Sequence, residues 1–477
     1  MSRSGGESFA PAAGQARFTS DAFCSGFAGS RTVYGLVEFR NLRNLTYSLS
    51  AFWGKRGISA FPLLFNIRDI RVKSPRKRTM SLLSFLSSGE VWNRFYEYKT
   101  SLACQGRFTG ELRKFIDERR FDAVAKRIEA GEPFPLPKKS VLTKLGSEKK
   151  RTVYTYPYDE NMCLKLLTYL LTRRYDGVFA RNLYSFRPGV TAKDAVRSLL
   201  RIPGIDGMYS YKVDVHNYFN SVPVERFLPV LREKIEPDDA PLYAFLESLL
   251  TEPYVKSGAG TVSEQKGIMA GTPLSAFYAN LYLADLDHLF EQAGALYARY
   301  SDDIIVFAKT REELGAYENI IKESLAAHGL TVNPDKEFRA EPGDGFTFLG
   351  FSYKNGTVDI APATVKKLKQ KMRRKRDALA RWRKRNDADP ERAAKAFIRA
   401  FNRKLLEAPS DNELSWSRWF FPVISTDASL HEIDLYSQDC VRYLLTGSHT
   451  KSRFNARYED LKALGYRNLV HEFHEGK

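Results

Sequence analysis

The stretch ALYARYSDDIIVFAKT, residues 295–310, sets two apolar runs on either side of Ser301-Asp302-Asp303. Runs of this composition read as strands, and Ser and Asp favour the turn between them, so the segment is a hairpin with adjacent carboxylates at its tip. Successive strand side chains point to opposite faces; Tyr300 would share a face with Asp302 rather than Asp303, and a turn at Ser301 to Asp303 has to relax that alternation. Upstream, MYSYKVDVHNYFNSVP (208–223) is a second alternating run, ending in Asp214 and followed by Tyr218 and Phe219. Between them, KGIMAGTPLSAFYANLYLADLD (266–287) places Gly267, Gly271 and Pro273 ahead of a helix with apolar residues at helical spacing. Downstream come HGLTVNPDKEF (328–338), with Lys336, and FTFLGFSY (346–353).

In this order and spacing the segments resemble the palm motifs of reverse transcriptases, over roughly residues 136–355. The resemblance implies an α+β, right-hand polymerase fold: fingers, a palm whose antiparallel sheet carries the catalytic aspartates, and a helical thumb. It implies an RNA-directed DNA polymerase taking dNTPs, with Asp214, Asp302 and Asp303 catalytic. These three and Val215 would be the metal-binding positions, for two Mg²⁺ ions with Mn²⁺ as a substitute. The chemistry suits the residue types, because magnesium takes oxygen ligands and is held by one or two carboxylates plus substrate phosphates. Without metal, clustered carboxylates repel by roughly 1–4 kcal/mol per pair at about 4 Å. Taken alone, Asp302 and Asp303 would also pass as hairpin-turn residues.

The same resemblance makes Phe219 the ring that crowds the sugar 2′ carbon and excludes ribonucleotides, and Lys336 the basic group that serves the departing pyrophosphate. Phe348 and Gly350, in FTFLGF, would belong to the hairpin that grips the primer, although a buried strand explains Phe346, Phe348 and Leu349 equally well. Where many reverse transcriptases carry Gln-Gly before the palm helix, this chain has Ala270-Gly271. The amide that contacts the nucleotide or template is missing, which makes template reading or nucleotide selection unusual. Upstream, Lys149, Lys150 and Arg151 open a strand of the fingers, with Lys149 and Arg151 the candidates for the triphosphate. RNLYSFRPGVTAKDAV (181–196) resembles the Tyr-x-Phe-Arg-Pro-Gly segment of bacterial and group II intron enzymes, which would set Tyr184, Phe186 and Arg187 along the template path. Phe-Arg-Pro-Gly is also an ordinary turn.

Composition points to a polyanionic partner. The chain of 477 residues has 74 Lys and Arg against 56 Asp and Glu, a net charge of +18, so its affinity for nucleic acid should weaken steeply with salt. The excess concentrates in VKKLKQKMRRKRDALARWRKRN (365–386), where Leu368, Met372, Leu379 and Trp382 form a narrow apolar stripe. As a helix it would lay Lys371, Arg373, Arg374, Arg376 and Arg381 against a duplex backbone. The four cysteines are scattered, with no Cys-x-x-Cys pair, so neither a zinc module nor a disulfide framework is expected. No apolar run reaches transmembrane length and no signal segment opens the chain, so no membrane partner and a cytoplasmic location are expected.

The organisation expected is a flexible segment over 1–32, an unassigned extension over 33–135 with a basic patch at Lys73 to Arg78, fingers over 136–210, palm with inserted finger elements over 211–355, and a helical thumb and RNA-binding region over 356–477. The pattern from Tyr458 to Val470, Tyr-x-x-Leu-x-x-Leu-Gly-Tyr-Arg-x-Leu-Val, resembles the ends of bacterial defence-associated reverse transcriptases. That resemblance implies antiphage defence, a noncoding RNA as template or scaffold, a cDNA product, and Lys451, Arg453, Arg457 and Arg467 as RNA contacts. A retron or group II intron enzyme and a non-catalytic RNA-binding scaffold stand as alternatives. Primer type and oligomeric state stay open, a homo-oligomer included.

Overall fold

A computed structural model describes residues 80–102, 106–143, 150–407 and 415–476. The expectations for residues 1–32, for the patch at Lys73 to Arg78 and for Lys149 lie outside the described residues.

Along the chain come helices α1 (Gly89–Ser101), α2 (Gly106–Asp117) and α3 (Phe121–Glu129), then strands β1 (Lys138–Thr143) and β2 (Lys150–Thr155). Helix α4 (Tyr158–Tyr175) and helix α5 (Ala192–Leu200) lead to strand β3 (Tyr209–Asp214). Helices α6 (Tyr218–Ser221), α7 (Val224–Ile235) and α8 (Ala240–Thr251), strands β4 (Tyr254–Ser257) and β5 (Gly260–Ser263), and helices α9 (Ser275–Tyr282) and α10 (Ala284–Gln292) follow. Then come β6 (Leu296–Tyr300), β7 (Asp303–Ala308), α11 (Arg311–Ala327), β8 (Phe338–Ala340), β9 (Phe346–Phe348), β10 (Phe351–Lys354) and β11 (Thr357–Ile360). The last part is helical: α12 (Pro362–Arg385), α13 (Pro390–Leu405), α14 (Trp416–Phe420), α15 (Ala428–Thr446), and three short helices to Glu475.

The fold is α+β, with three sheets. The fingers sheet has order β2-β1-β4-β5, so β4 and β5 return from the palm segment to complete it. The palm sheet, β6-β7-β3-β8, is antiparallel at every pairing. A third sheet, β11-β10-β9, runs past residue 355, so the boundary expected there cuts a hairpin rather than separating palm from thumb.

Both faces of the palm sheet are covered, and β7 shows it residue by residue. Ile304, Val306 and Ala308 enter one core, shared with α4, α9, α10 and the fingers. Ile305 and Phe307 enter the other, shared with α5, the third sheet and the thumb. A strand buried on both faces reads as a continuous apolar run rather than an alternating one, which is why IIVFA has no polar gaps. Helices α1 to α3 pack their aromatic residues, Trp92, Phe95, Phe115 and Phe121, into the first core, so the described part of the N-terminal extension is continuous with the fingers.

In the thumb, α12, α13 and α15 form a bundle around Val365, Leu368, Met372, Phe397, Ile398, Leu430, Ile433 and Val441. Helix α12 starts with Pro362 at its first turn and ends on Arg383, Lys384 and Arg385, both favourable placements. Leu368 and Met372 of the expected stripe are buried, whereas Leu379 and Trp382 are half-buried. The Tyr458–Val470 pattern is held from below by Asp434, which accepts from the backbone N–H groups of Leu469 and Val470 and from the Tyr466 hydroxyl. No helix among the described residues is long and apolar enough to cross a membrane.

Candidate active site in the palm

Strand register brings the carboxylates together. β3 and β7 pair with Asp214 directly opposite Asp303, and β6 and β7 pair Tyr300 with Asp303. The turn is therefore Ser301-Asp302 alone, and of these two only Ser301 has positive φ, +60°, as in II′ hairpins. Like charges directly opposite destabilise a strand pair. Two lysines relieve this pair: Lys212, on β3, lies 3.6 Å from Asp303 Oδ1, and Lys336 donates to Asp214 Oδ2. Asn333 adds a donor at 3.2 Å to Asp214 Oδ1, and its backbone N–H donates to the Asp214 carbonyl at 2.8 Å. Val215 donates its N–H to the Asp302 carbonyl at 3.0 Å, fixing the hairpin tip beside the end of β3.

Asp302 has no such cation of its own. Burial, followed by the charges of Asp214 and Asp303, pushes its carboxyl up to about 6. Burial also raises Asp303, opposed by Lys212. Among the described residues no three His, Cys, Asp or Glu side chains close a metal cage by themselves. The donor set nevertheless fits magnesium: oxygen-only, few protein ligands, and an excess of negative charge held off by lysines. Asp302 also gives a test. A carboxyl whose pKa is raised on folding stabilises the folded state fully below about 4, and that contribution is lost as pH rises through about 6. In EDTA, stability should fall by about 1–2 kcal/mol between pH 4.5 and 7, more in the native chain than in Asp302→Asn. Parallel urea-midpoint profiles for the two would contradict this description of Asp302.

A buried ion pair stands behind the turn. Arg299 and Asp287, both fully buried, pair bidentately at 2.7 and 2.5 Å. The same guanidinium donates to the carbonyls of Ala279, Asn280 and Ser301 at 3.1–3.4 Å, and the Tyr297 hydroxyl donates to Asp287. The C-terminal end of α9, the first turns of α10 and the hairpin tip are thereby tied to one group. Neither residue stood out in the sequence reading. The available signal was Arg299 itself, one charge inside a strand flanked by apolar residues, which requires a buried partner.

The Gly loop braces the palm against the fingers. A Cβ on Gly267, whose φ is +53°, would lie 2.5 Å from the Phe219 carbonyl oxygen, and a Cβ on Gly271 would lie 3.0 Å from that of Tyr154. Only glycine allows this approach. Ala270 is buried, donates its N–H to Asn220 at 3.1 Å and accepts from the Tyr154 N–H at 2.8 Å.

Other expected residues fall into two groups. Tyr184 and Phe186 sit beside the hairpin: the Tyr184 N–H donates to the Arg299 carbonyl, and the Phe186 and Tyr300 rings lie 6.1 Å apart. Phe219 packs against Tyr218 on α6, just past Asp214, and Arg151 is exposed on β2. Lys371, Arg373, Arg374 and Arg381 are exposed along α12, and Gly350 shapes the β9–β10 turn with φ +91°. Three side chains turn into the protein instead. The Arg187 guanidinium is taken up by Asp176 and by the Ala180 and Leu183 carbonyls. Arg376 bonds Asp377 and covers the Tyr443 ring at 4.8 Å. Phe348 is a core residue because alternation puts Phe346 and Phe348 inward and Thr347 outward. Their expected side-chain contacts with nucleic acid are corrected accordingly.

Residues 136–353 match the family described as Reverse transcriptase (RNA-dependent DNA polymerase). The chain thus carries a reverse transcriptase domain, and its architecture is the right-hand α+β fold. Over 143 residues it is 29% identical to the Retrovirus-related Pol polyprotein from type-1 retrotransposable element R2 of Nasonia vitripennis, a match covering 28% of this chain and 14% of that relative. Among solved structures, apo telomerase from Candida tropicalis truncated from its C-terminal domain aligns at TM-score 0.35 and 16% identity, over 47% of this chain and 55% of that one. Telomerase from Candida albicans in complex with the TWJ fragment of telomeric RNA aligns at TM-score 0.38 and 13% identity, over 74% of this chain and 68% of that one.

Proposed function

We propose that the protein is an RNA-directed DNA polymerase that copies a dedicated noncoding RNA into cDNA and acts in antiphage defence. The observation that carries the catalytic part is the cross-strand pair Asp214–Asp303 with Asp302 in the adjoining turn. Asp214 and Asp302, supported by Asp303 and the backbone at Val215, would hold two Mg²⁺ ions. Ions held there would supply activation of a primer 3′ hydroxyl and charge neutralisation at the triphosphate.

The chain's own groups supply the rest. Lys336 now occupies the Asp214 carboxylate; displaced from it, its ammonium would serve the departing pyrophosphate. Lys149 and Arg151 would receive the triphosphate from the fingers side. Tyr184 and Phe186 flank the hairpin where the template would pass, and the exposed cations of α12 would follow the duplex backbone. Ala270, buried and engaged through its backbone, offers no amide to nucleotide or template, so selection there falls to neighbouring groups.

Phe219 is the sugar discriminator in this reading. Phe219→Val should raise ribonucleotide use relative to deoxynucleotides by about 10- to 100-fold, measured as the ratio of kcat/KM values. An unchanged ratio would return Phe219 to a packing role. The RNA and defence assignments rest on the C-terminal pattern and the basic surface. They are tested by expressing the gene with its native flanking DNA and sequencing the co-purified RNA and any DNA made. One enriched flanking RNA with complementary DNA supports them, whereas a retron or intron RNA beside the gene moves the assignment to that class.

A further inference from the structure

After α15 the chain loops into a short helix, Ser452–Asn455, that carries an exposed aromatic ring. Phe454 is 78% exposed, the most exposed large hydrophobic side chain among the described residues. A single exposed apolar residue is ordinary on a protein surface; the surroundings of Phe454 are not. Lys451, Arg453 and Arg457 stand within three residues of it, all exposed. His449, also exposed, stacks on Tyr443 at 4.5 Å, and the other partner of Tyr443 is Arg376 of the basic helix α12.

The loop is anchored. Ala456 is buried, and its carbonyl accepts from the buried Arg442 at 3.0 Å. The backbone N–H of Phe454 donates to the Lys451 carbonyl at 3.0 Å. Arg383, near the C-terminal end of α12, donates to the Leu444 carbonyl at 2.6 Å, which ties the loop's base to that helix. Arg467 is occupied bidentately by Glu472, whereas Arg453 pairs with Asp439 only at 3.7 Å and stays largely exposed. Lys451, Arg453 and Arg457 thus flank one outward ring, and contacts through Tyr443 and Leu444 join this region to the basic helix.

We propose that Phe454 is a stacking platform for an unpaired base of single-stranded RNA, with Lys451, Arg453 and Arg457 contacting the flanking phosphates. Aromatic rings accept any base face while neighbouring cations follow the backbone. This rests on the polymerase reading for its choice of RNA, and it places a contact outside the palm.

The test uses the full chain and a fluorescein-labelled, unstructured 20-nucleotide RNA, with anisotropy titrations at several KCl concentrations. Phe454→Ala should weaken binding by about 5- to 150-fold, the range set by base–aromatic stacking, with little change in salt slope because no counter-ion is involved. Phe454→Trp should bind as the native chain does. Arg453→Gln with Arg457→Gln should flatten the slope by about 1.4, from roughly 0.7 per phosphate contact on a single strand. A Phe454→Ala affinity within twofold of native overturns the platform. So does a shift in sedimenting mass with RNA affinity unchanged, which would assign the ring to contact between protein chains. Asp302→Ala/Asp303→Ala should keep the Phe454-dependent binding. RNA binding of this kind without synthesis by the native chain would sink the polymerase reading and leave the platform standing.

Discussion

Asp302→Ala together with Asp303→Ala is expected to lower DNA synthesis by at least about 1,000-fold while leaving RNA affinity near normal or better. In the reading proposed above these groups hold divalent ions, and losing them would remove several kcal/mol of charge stabilisation in phosphoryl transfer, each 1.4 kcal/mol being about tenfold in rate. RNA affinity should not fall, because two negative charges leave a site built to meet polyanions. Removing them also relieves Asp214 of like charge across the strand pair, so the double variant should fold at least as stably as the native chain. Single-turnover primer extension and RNA titration on the same preparation check both halves. Synthesis surviving within tenfold would remove the palm carboxylates from the mechanism.

The second large effect concerns Arg299. Replacing it with Met leaves Asp287 buried without its partner, and breaking a buried pair on one side costs about 3–5 kcal/mol. Urea unfolding should show that loss. Arg299→Met/Asp287→Leu should recover part of it, because removing both charges avoids the uncompensated one. Arg299→Lys separates positioning from stability: lysine keeps the charge but not the planar fork, so the contact to the Ser301 carbonyl is lost or moved. The expected result is a kcat lower by on the order of 10- to 100-fold with KM for dNTP little changed, since the hairpin tip shifts while the nucleotide's other contacts stay. A folded Arg299→Lys with native kcat would make the pair structural only.

The palm was legible in the sequence because its signals are local. A turn between two apolar runs, an alternating run ending in Asp214 and a Gly loop before a helix each declare themselves within about twenty residues. What local pattern could not give is who meets whom across the fold. Lys336 lies 122 residues from Asp214 in sequence and bonds it directly. Lys212 was one more strand residue until register set it beside Asp303.

Direction of side chains was the other gap. Arg187 and Arg376 are cations in segments read as facing nucleic acid, yet both are taken up by partners inside the protein. Phe348 was open to either reading, a primer-gripping hairpin or a buried strand, and the structure puts it in the core. In the thumb, the apolar stripe of α12 was readable by its spacing, but the bundle it enters depends on α13 and α15, which the stripe does not specify.

The most direct measurement is extension of a DNA-primed RNA template by the purified full chain with dNTPs, with and without Mg²⁺, followed by sequencing of the product. RNA-directed DNA polymerisation predicts DNA complementary to the template, made only with divalent ion and lost in Asp302→Ala/Asp303→Ala. RNA binding with no complementary DNA on that template or on the RNA that co-purifies would contradict it, and would make the protein a scaffold that keeps the polymerase fold.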